Sequence, residues 1–335
     1  VRDFRFTAQQ LAEMDFLDAQ TKEYLANYRF SGQIDGYREG ELYFPNSPLL
    51  TVRGTFGECL ILETVILSIM NSDSAVASAA SRMVVAADGR PIIEMGSRRT
   101  HEYAAVTAAR AAYLAGFQAT PNLEAGYRYD IPVSGTAAHA WTLAHVNEDG
   151  TPNEEAAFRG QIETLGVDTT LLVDTYDITK IVVSSDLDEF AIAGLRGDPV
   201  DVYGVGTSVV TGSGAPTAGM VYKVVEVDGH PVAKRSSSKK SQGGSKRALR
   251  TYRSSGVAVE ELVLPFSSEN PETGTLRTRE MTVPLMRDGE ILDNLPTLEE
   301  SREYLAQAIT TLPWEGLALT RDEPAVPTRF IGFDA

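Results

Sequence analysis

The sequence predicts an α/β protein built on a parallel sheet or barrel, and two observations carry that expectation. From Arg90 onward, short apolar runs (RPIIEMGSRR, IPVSGT, TLLVDTYDI, KIVVSSD, VDVYGVGTS) alternate with helical segments (HEYAAVTAARAAYLAG, EEAAFRGQIETLG, LDEFAIAGL). That is the order βα crossovers produce. The polar and glycine residues also collect just after the apolar runs: Gly96 and Arg98, Gly135 and Thr136, Asp174 and Asp177, Ser184 to Asp186, Gly204 to Thr207. The carboxyl edge of a parallel sheet is where ligand sites form.

The elements follow in order. FTAQQLAEMDFLDAQTKEYLANY reads as two short amphipathic helices, with Thr7 as a cap and Leu11, Met14 and Leu17 at helical spacing. GQIDGYREGELYFPNSPLLTVRG alternates apolar and polar residues around Gly and Pro, the pattern of short antiparallel strands. GECLILETVILSIMNSDSAVASAASRMVVAA reads as one or two buried helices. The alanine-rich helix after Arg99 is closed by Gly116. Character changes again at Val221, where VYKVVEVDGHPVAKRS predicts a hairpin around Asp228-Gly229. GVAVEELVLPF and REMTVPLMRDGEIL add strands, and residues 295–310 a last helix. One join is physically anomalous. TLLVDTYDI and KIVVSSD are separated by Thr179 alone, whereas parallel neighbours need a crossover of about a dozen residues. We therefore expect residues to be missing between Ile178 and Thr179, and, from the Val1 start, before the N-terminus as well.

Composition narrows the function class. The 335 residues are 43% hydrophobic with a formal net charge of -16, a poor balance for binding nucleic acid, which requires clustered Lys and Arg. No run reaches the ~18 apolar residues of a membrane span, and VRDFRFTAQQL is no signal peptide. Cys59 is the single cysteine and reads as a buried core thiol. The expectation is a cytoplasmic enzyme with neither nucleic acid nor membrane as partner. One basic cluster, residues 234–250, is either a solvated hairpin loop or a lid for an anionic ligand.

Each chemical motif has two readings. Gly204, Gly206 and Thr207 follow a strand, where glycines admit a phosphate to backbone N–H groups or simply make a turn. Arg98 and Arg99 offer planar recognition of carboxylate or phosphate, or ion pairs with Glu94 or Glu102. His139 sits among small residues in GTAAHAW and reads as a packed histidine or a reactive one. Asp174, Asp177, Ser185 and Asp186 suit Mg²⁺-bound water or sugar hydroxyls, or helix capping by Asp186. Histidines this dispersed give no zinc-site spacing.

Read in order, EMGSRRTHEYAAVTAARAAYLAGFQATPNLEAG, IPVSGTAAHAW, LLVDTYDI, VVSSDLDEFAI and VYGVGTSVVTGSGAPTAGMVYK resemble the nicotinate phosphoribosyltransferases over residues 90–223, with weaker similarity to both ends. The resemblance implies an irregular, incomplete α/β barrel over 90–223 and a second α/β domain from 1–89 and 224–335. It implies a homodimer with shared active sites. It also implies that nicotinate and phosphoribosyl pyrophosphate give nicotinate mononucleotide and pyrophosphate, with coupled ATP hydrolysis and Mg²⁺.

Carried over residue by residue, the resemblance makes His139 the histidine that ATP phosphorylates. Arg98, beside Gly96 and Arg99, is the arginine of the base and pyrophosphate site. Gly204, Gly206 and Thr207 hold the 5′-phosphate. Thr136, Ser185 and Asp186 bind substrate, and Asp177 and Asp186 lie near ribose and Mg²⁺, reaching the ion through water. The sequence departs from the family in four places. Met95 stands where an aromatic often stacks on the pyridine, and Ser185 where glycine is common. An Arg-Leu-Asp-Ser-Gly strand is absent at the anomalous join, and so is an N-terminal segment whose Tyr reaches the partner's site. Two rival readings are a nicotinamide-specific enzyme and an inactive binding homologue. Pro121 favours nicotinate over nicotinamide, because nicotinamide enzymes carry an Asp there.

Overall fold

Thr7 caps the first helix, as its position predicts. In α1 (Ala8–Glu13) its side chain accepts from the Gln10 N–H while the Gln10 side chain accepts from the Thr7 N–H, a reciprocal capping box. The computed structural model describes residues 1–167, 169, 171, 182–184, 186–236, 239–240, 242–320 and 323–333. After α2 (Ala19–Ala26), β1 (Gln33–Tyr37) and β2 (Leu50–Arg53) pair antiparallel. α3 (Phe56–Ala87) is a single helix. Then come β3 (Ile92–Glu94), α4 (Glu102–Leu114), α5 (Leu123–Tyr129), α6 (His139–Leu143) and α7 (Glu154–Leu165). β4 (Val182–Val183), α8 (Glu189–Gly194), β5 (Val202–Val205) and α9 (Thr207–Val210) complete the alternating region.

The fold is mixed α/β, and the chain divides into two compact units: Val1–Ser72 with Ala218–Ala335, and Asp73–Thr217. The division falls inside α3, ahead of the change of sequence character at Arg90. In the second unit β3, β5 and β4 form a parallel sheet in the order β3-β5-β4. IPVSGT does not form the strand its apolar run predicts; it makes one parallel bridge, Thr120 to Val133. The predicted strand in TLLVDTYDI and the join at Ile178–Thr179 lie outside the described residues.

The remaining elements belong to the first unit. Asp228 and Gly229, both at positive φ, turn β6 (Glu226–Val227) back onto β7 (His230–Pro231). That is the backbone a two-residue hairpin requires. β8 (Arg235–Ser236) and β9 (Lys239–Lys240) pair next. Two four-stranded sheets are completed by β10 (Lys246–Tyr252), β11 (Ala258–Pro265), β12 (Arg277–Glu280), β13 (Thr282–Arg287), β14 (Glu290–Ile291) and β15 (Thr328–Phe330). Their orders are β14-β13-β1-β2 and β12-β10-β11-β15. α10 (Leu298–Thr310) has a second capping box, between Thr297 and Glu300. One apolar core gathers Tyr28, Phe30, Ile34, Leu62, Ile66 and Met286.

Three sequence readings are corrected. α3, read as one or two buried helices, is a single helix with only 22% of its most apolar window buried, and by length and composition alone it could cross a membrane. Its buried apolar residues, Leu62, Ile66, Ala75, Val76, Ala79, Ala80, Met83, Ala86 and Ala87, recur at helical spacing, as on a core-facing helix. Cys59 is half-buried, not a core thiol, and burial pushes its thiol up. The basic cluster is not solvated throughout, because its last residues enter β10 and bury Arg250.

Arg250 anchors that sheet electrostatically. It pairs with Glu41 at 2.7 Å and Glu261 at 2.8 Å, all three side chains being nearly inaccessible. Arg279 pairs with the second Glu41 oxygen at 2.7 Å. Tyr37 and Ser47 donate to Glu261 at 2.6 and 2.5 Å. Burying ions is costly unless every lone pair is matched, and here two carboxylates face two guanidiniums. Arg250→Ala leaves both carboxylates under-compensated and should destabilise the protein by about 3–5 kcal/mol, read as a shift in urea midpoint. A shift worth less than about 1 kcal/mol would show that the network is dispensable.

Candidate active site at the carboxyl edge of the parallel array

The site is built by strand register. Ile92, Ile93 and Glu94 lie beside Tyr203, Gly204 and Val205, and on the other side of β5, Val182 and Val183 lie beside Val202 and Tyr203. Ile93 bridges Ala119, and Thr120 bridges Val133, both in parallel. Five segments therefore run in one direction, and their carboxyl ends share one edge. In spatial order that edge carries Ser134 to Thr136, Pro121 and Asn122, Met95 to Arg99, Gly206 and Thr207, and finally Ser184 and Asp186. Each comes from Asp73–Thr217.

The two central turns approach too closely for side chains. A Cβ on Gly96 would stand 2.1 Å from Val210 Cγ1 and 3.2 Å from the Gly206 carbonyl oxygen. One on Gly206 would stand 3.2 Å from the Met95 carbonyl oxygen. Gly204 is buried within β5, where a Cβ would meet Met95 Sδ at 2.8 Å. The Met95 side chain packs there, and its N–H donates to the Val205 carbonyl at 2.7 Å.

Charge is distributed unevenly along the edge. Arg98 and Arg99 are exposed, and among the described residues neither guanidinium has a hydrogen-bond or ion-pair partner. The alternative ion pair with Glu94 does not form. Glu94 is buried, its Oε1 accepts from the Gly96 N–H, and its Oε2 accepts from the Thr120 hydroxyl at 2.7 Å. Burial raises the Glu94 carboxyl above its usual range, against the opposing effect of those two donors. The stem of Arg99 lies beside Gly206, its Cγ 3.9 Å from where a Gly206 Cβ would be. Asn122 caps α5 and also donates to Ser97 Oγ at 3.0 Å.

Asp186 is not the helix cap. Asp188 holds that position on α8, accepting from the Ala191 N–H at 2.8 Å. Asp186 is exposed and accepts a long hydrogen bond, 3.4 Å, from the Thr207 hydroxyl. Thr207 is the first residue of α9. His139 is exposed as the first residue of α6. Thr136 is half-buried, and beside it Gly135 faces Pro121, whose Cβ would lie 3.4 Å from a Gly135 Cβ. Asp177 and Ser185 lie outside the described residues. Sequence reasoning treated Glu94 only as an ion-pair partner and did not single out Thr120 or Asn122. The one available signal was a carboxylate ending the apolar run IIE immediately before the Met-Gly turn. It also missed Glu189, buried on α8, which accepts from Arg82 at 3.1 Å and from Ser213 at 2.7 Å. Ser213 adopts positive φ in the loop after α9.

Comparison with known proteins follows the same line. A family model described as the nicotinate phosphoribosyltransferase N-terminal domain matches residues 1–71. The chain is 52% identical to nicotinate phosphoribosyltransferase pncB1 of Mycobacterium tuberculosis, covering 98% of this chain and 83% of that protein. That alignment runs over 374 residues, more than the whole chain's 335, so the relative carries internal residues that this sequence lacks. Among solved structures, human nicotinic acid phosphoribosyltransferase superposes with a TM-score of 0.76 at 22% identity, covering 96% of this chain and 85% of that one. A nicotinate-nucleotide pyrophosphorylase from Pyrococcus furiosus gives 0.66 at 24% identity, covering 84% and 81%. At these identities the superpositions speak for the fold.

The buried carboxyl has a measurable consequence. Because the folded-state value of Glu94 is raised, at pH between the unfolded and folded values the folded chain holds a proton that the unfolded chain has released. Its contribution to stability is fullest below the ordinary carboxylate range and falls as pH rises through the folded value. Glu94→Gln removes that dependence. Its stability relative to the parent should therefore rise between about pH 4 and neutrality, measured by urea denaturation at a series of pH values. A constant or shrinking difference would contradict the assignment.

Proposed function

The chain belongs to the nicotinate phosphoribosyltransferase family, enzymes of NAD biosynthesis, and we propose that the shared edge described above is where nicotinate is joined to phosphoribosyl pyrophosphate. The products are nicotinate mononucleotide and pyrophosphate. The observation that carries this placement is the convergence of two exposed guanidiniums, without partners among the described residues, with a glycine turn, a hydroxyl and a carboxylate on one parallel edge. We read the five parallel segments as part of an irregular, incomplete barrel, and the working enzyme as a cytoplasmic homodimer with shared sites. The exposed Leu123 and Tyr127 of α5 are apolar surface that a second copy would cover.

The chemistry assigns the roles. The pyridine nitrogen attacks the ribose anomeric carbon as pyrophosphate leaves, through an oxocarbenium-like state of the kind glycosidases meet. The protein's tasks are to align nucleophile and carbon and to neutralise the leaving charge. Arg98 faces the nicotinate carboxylate or the neighbouring pyrophosphate, and Arg99, beside Gly206, serves the phosphates. Gly206 and Thr207 seat the 5′-phosphate, with Gly204 providing the close strand packing behind them. Thr136, Ser185 and Asp186 complete the substrate contacts.

Among the described residues no group of three or more His, Cys, Asp and Glu could hold a metal. Mg²⁺ ordinarily binds through one or two carboxylates plus substrate phosphates. Asp186, exposed and only weakly engaged by Thr207, fits that mode, with Asp177 as the second carboxylate. The ion would offset charge on the pyrophosphate. His139 is the residue we assign to phosphorylation by ATP; its exposure at the start of α6 supports access by a nucleotide.

Three variants test this reading. Loss of a charge-assisted bond costs about 1.5–3 kcal/mol, so Arg98→Ala should lower kcat/KM for nicotinate at least about tenfold. An unchanged value would remove Arg98 from the site. Pro121→Asp places a carboxylate beside the bound base and should lower the ratio of nicotinate to nicotinamide efficiencies. A ratio that holds or rises would show that position 121 does not read the base. His139→Ala should abolish stimulation of the synthetic rate by ATP, and full stimulation in that variant would refute the phosphohistidine assignment.

A further inference from the structure

We propose that Glu94 and Thr120 are positioning residues that lock the arginine turn to the Thr120–Asn122 turn and so set how the pyridine substrate is read. This rests on the assignment of Arg98 and Pro121 to the base site. The geometry is a closed ring of hydrogen bonds between two turns 26 residues apart in sequence. Glu94 Oε1 accepts from the Gly96 N–H and Oε2 from the Thr120 hydroxyl at 2.7 Å. Thr120 Oγ1 accepts in turn from the Asn122 N–H at 3.1 Å. Asn122 Nδ2 donates to Ser97 Oγ at 3.0 Å, and Ser97 follows Gly96, which closes the ring.

The ring brackets two residues without engaging either. Arg98 directly follows Ser97, and Pro121 lies between Thr120 and Asn122. Both are exposed, whereas Glu94 and Thr120 are each 1% accessible. None of the four ring side chains replaces Arg98 as a ligand for an anion. Backbone pairing already joins the two segments, since the Glu94 N–H donates to the Ala119 carbonyl at 2.9 Å. The ring begins where that pairing ends and extends the register into the turns.

Why a carboxylate should be buried there is a question of magnitude. An apolar pair of the same shape would fill the space without desolvating a charge. What the carboxylate adds is direction: two acceptor oxygens each engage one turn, and satisfied buried networks hold a single geometry. A reactive constellation must be held within about 0.5 Å, and a misplacement of about 1 Å costs on the order of 100-fold in rate. The burial that raises the Glu94 carboxyl is the cost of that definition.

The test uses the full chain with Thr120→Val, Thr120→Ser and Ser97→Ala, assaying nicotinate and nicotinamide separately at saturating phosphoribosyl pyrophosphate, and titrating phosphoribosyl pyrophosphate at saturating nicotinate. Thr120→Val keeps the shape and removes the hydroxyl. It should lower kcat/KM for nicotinate at least about tenfold and lower the nicotinate-to-nicotinamide ratio at least about threefold. The KM for phosphoribosyl pyrophosphate should stay within about twofold. Thr120→Ser, which restores the hydroxyl, should recover most of both losses. Ser97→Ala removes only the outer bond and should shift the ratio in the same direction, which keeps the test intact if Thr120→Val fails to fold. A merely structural role lowers both efficiencies together and leaves the ratio alone. An unchanged ratio in Ser97→Ala and in any folded Thr120→Val overturns the inference, as does a Thr120→Ser as impaired as Thr120→Val. A parent chain that does not turn over nicotinate overturns the underlying base-site reading as well, so the two failures are distinguishable.

Discussion

The parallel register of β3 on β5 is the constraint on which the proposed site depends. Glu94 beside Val205 places the arginine turn and the glycine turn at one level, and everything chemical at that edge follows from it. The contact is tight enough to dictate composition. Val210 occupies the space a Gly96 side chain would need, so any larger residue must push α9 away from the turn that carries Arg98 and Arg99. A one-residue slip would exchange the two faces of each strand and separate the guanidiniums from the loop they flank. Glycines at such an edge are easily read as ligand cradles alone, yet Gly96 and Gly206 first serve the approach of one turn to another, and Gly204 the packing of Met95 on β5.

Electrostatics make that local arrangement necessary. The substrates are anions and the chain carries a formal net charge of -16, so its long-range field does not steer them in. Screening confines charge effects to about 8 Å at physiological ionic strength, and recognition must come from nearby groups. Arg98 and Arg99, left without protein partners among the described residues, are the groups proposed for it. The contrast with Arg250 is instructive. There the same side chain is buried and matched by Glu41 and Glu261, so its charge is absorbed by the scaffold and has nothing left for a ligand.

Much of this was legible in the sequence because the signals were periodic or stereochemical. Thr7, Gly116 and Asp228-Gly229 each announce a backbone geometry that few other residues serve, and the alternation after Arg90 announces parallel strands. What stayed hidden was decided in three dimensions. Asp186 and Asp188 both precede a helix, and only the actual start of α8 shows that Asp188 takes the cap. IPVSGT is apolar enough for a strand but forms one bridge, because it lies at the margin of the described array, beyond Ala119–Thr120. Arg250 looked solvated because its neighbours are basic, while its partners Glu41 and Glu261 are distant in sequence. The ring through Glu94 and Thr120 was invisible for the same reason. The anomalous join at Thr179 was read from strand physics and from the absent Arg-Leu-Asp-Ser-Gly strand, and the 374-residue alignment with the mycobacterial relative describes a sequence shorter inside than its relative without saying where.

The central claim, that the phosphoribosyl and pyridine groups bind at the edge where β3 and β5 end, is most directly tested by hydrogen–deuterium exchange with and without nicotinate mononucleotide. Amides bound to a ligand or shielded by it exchange more slowly. The account predicts added protection in two peptides, one spanning Met95–Arg99 and one spanning Gly206–Val210, with residues 226–246 unchanged. Protection confined to the basic residues 234–250, or absent from both turns while the nucleotide is bound, would contradict it.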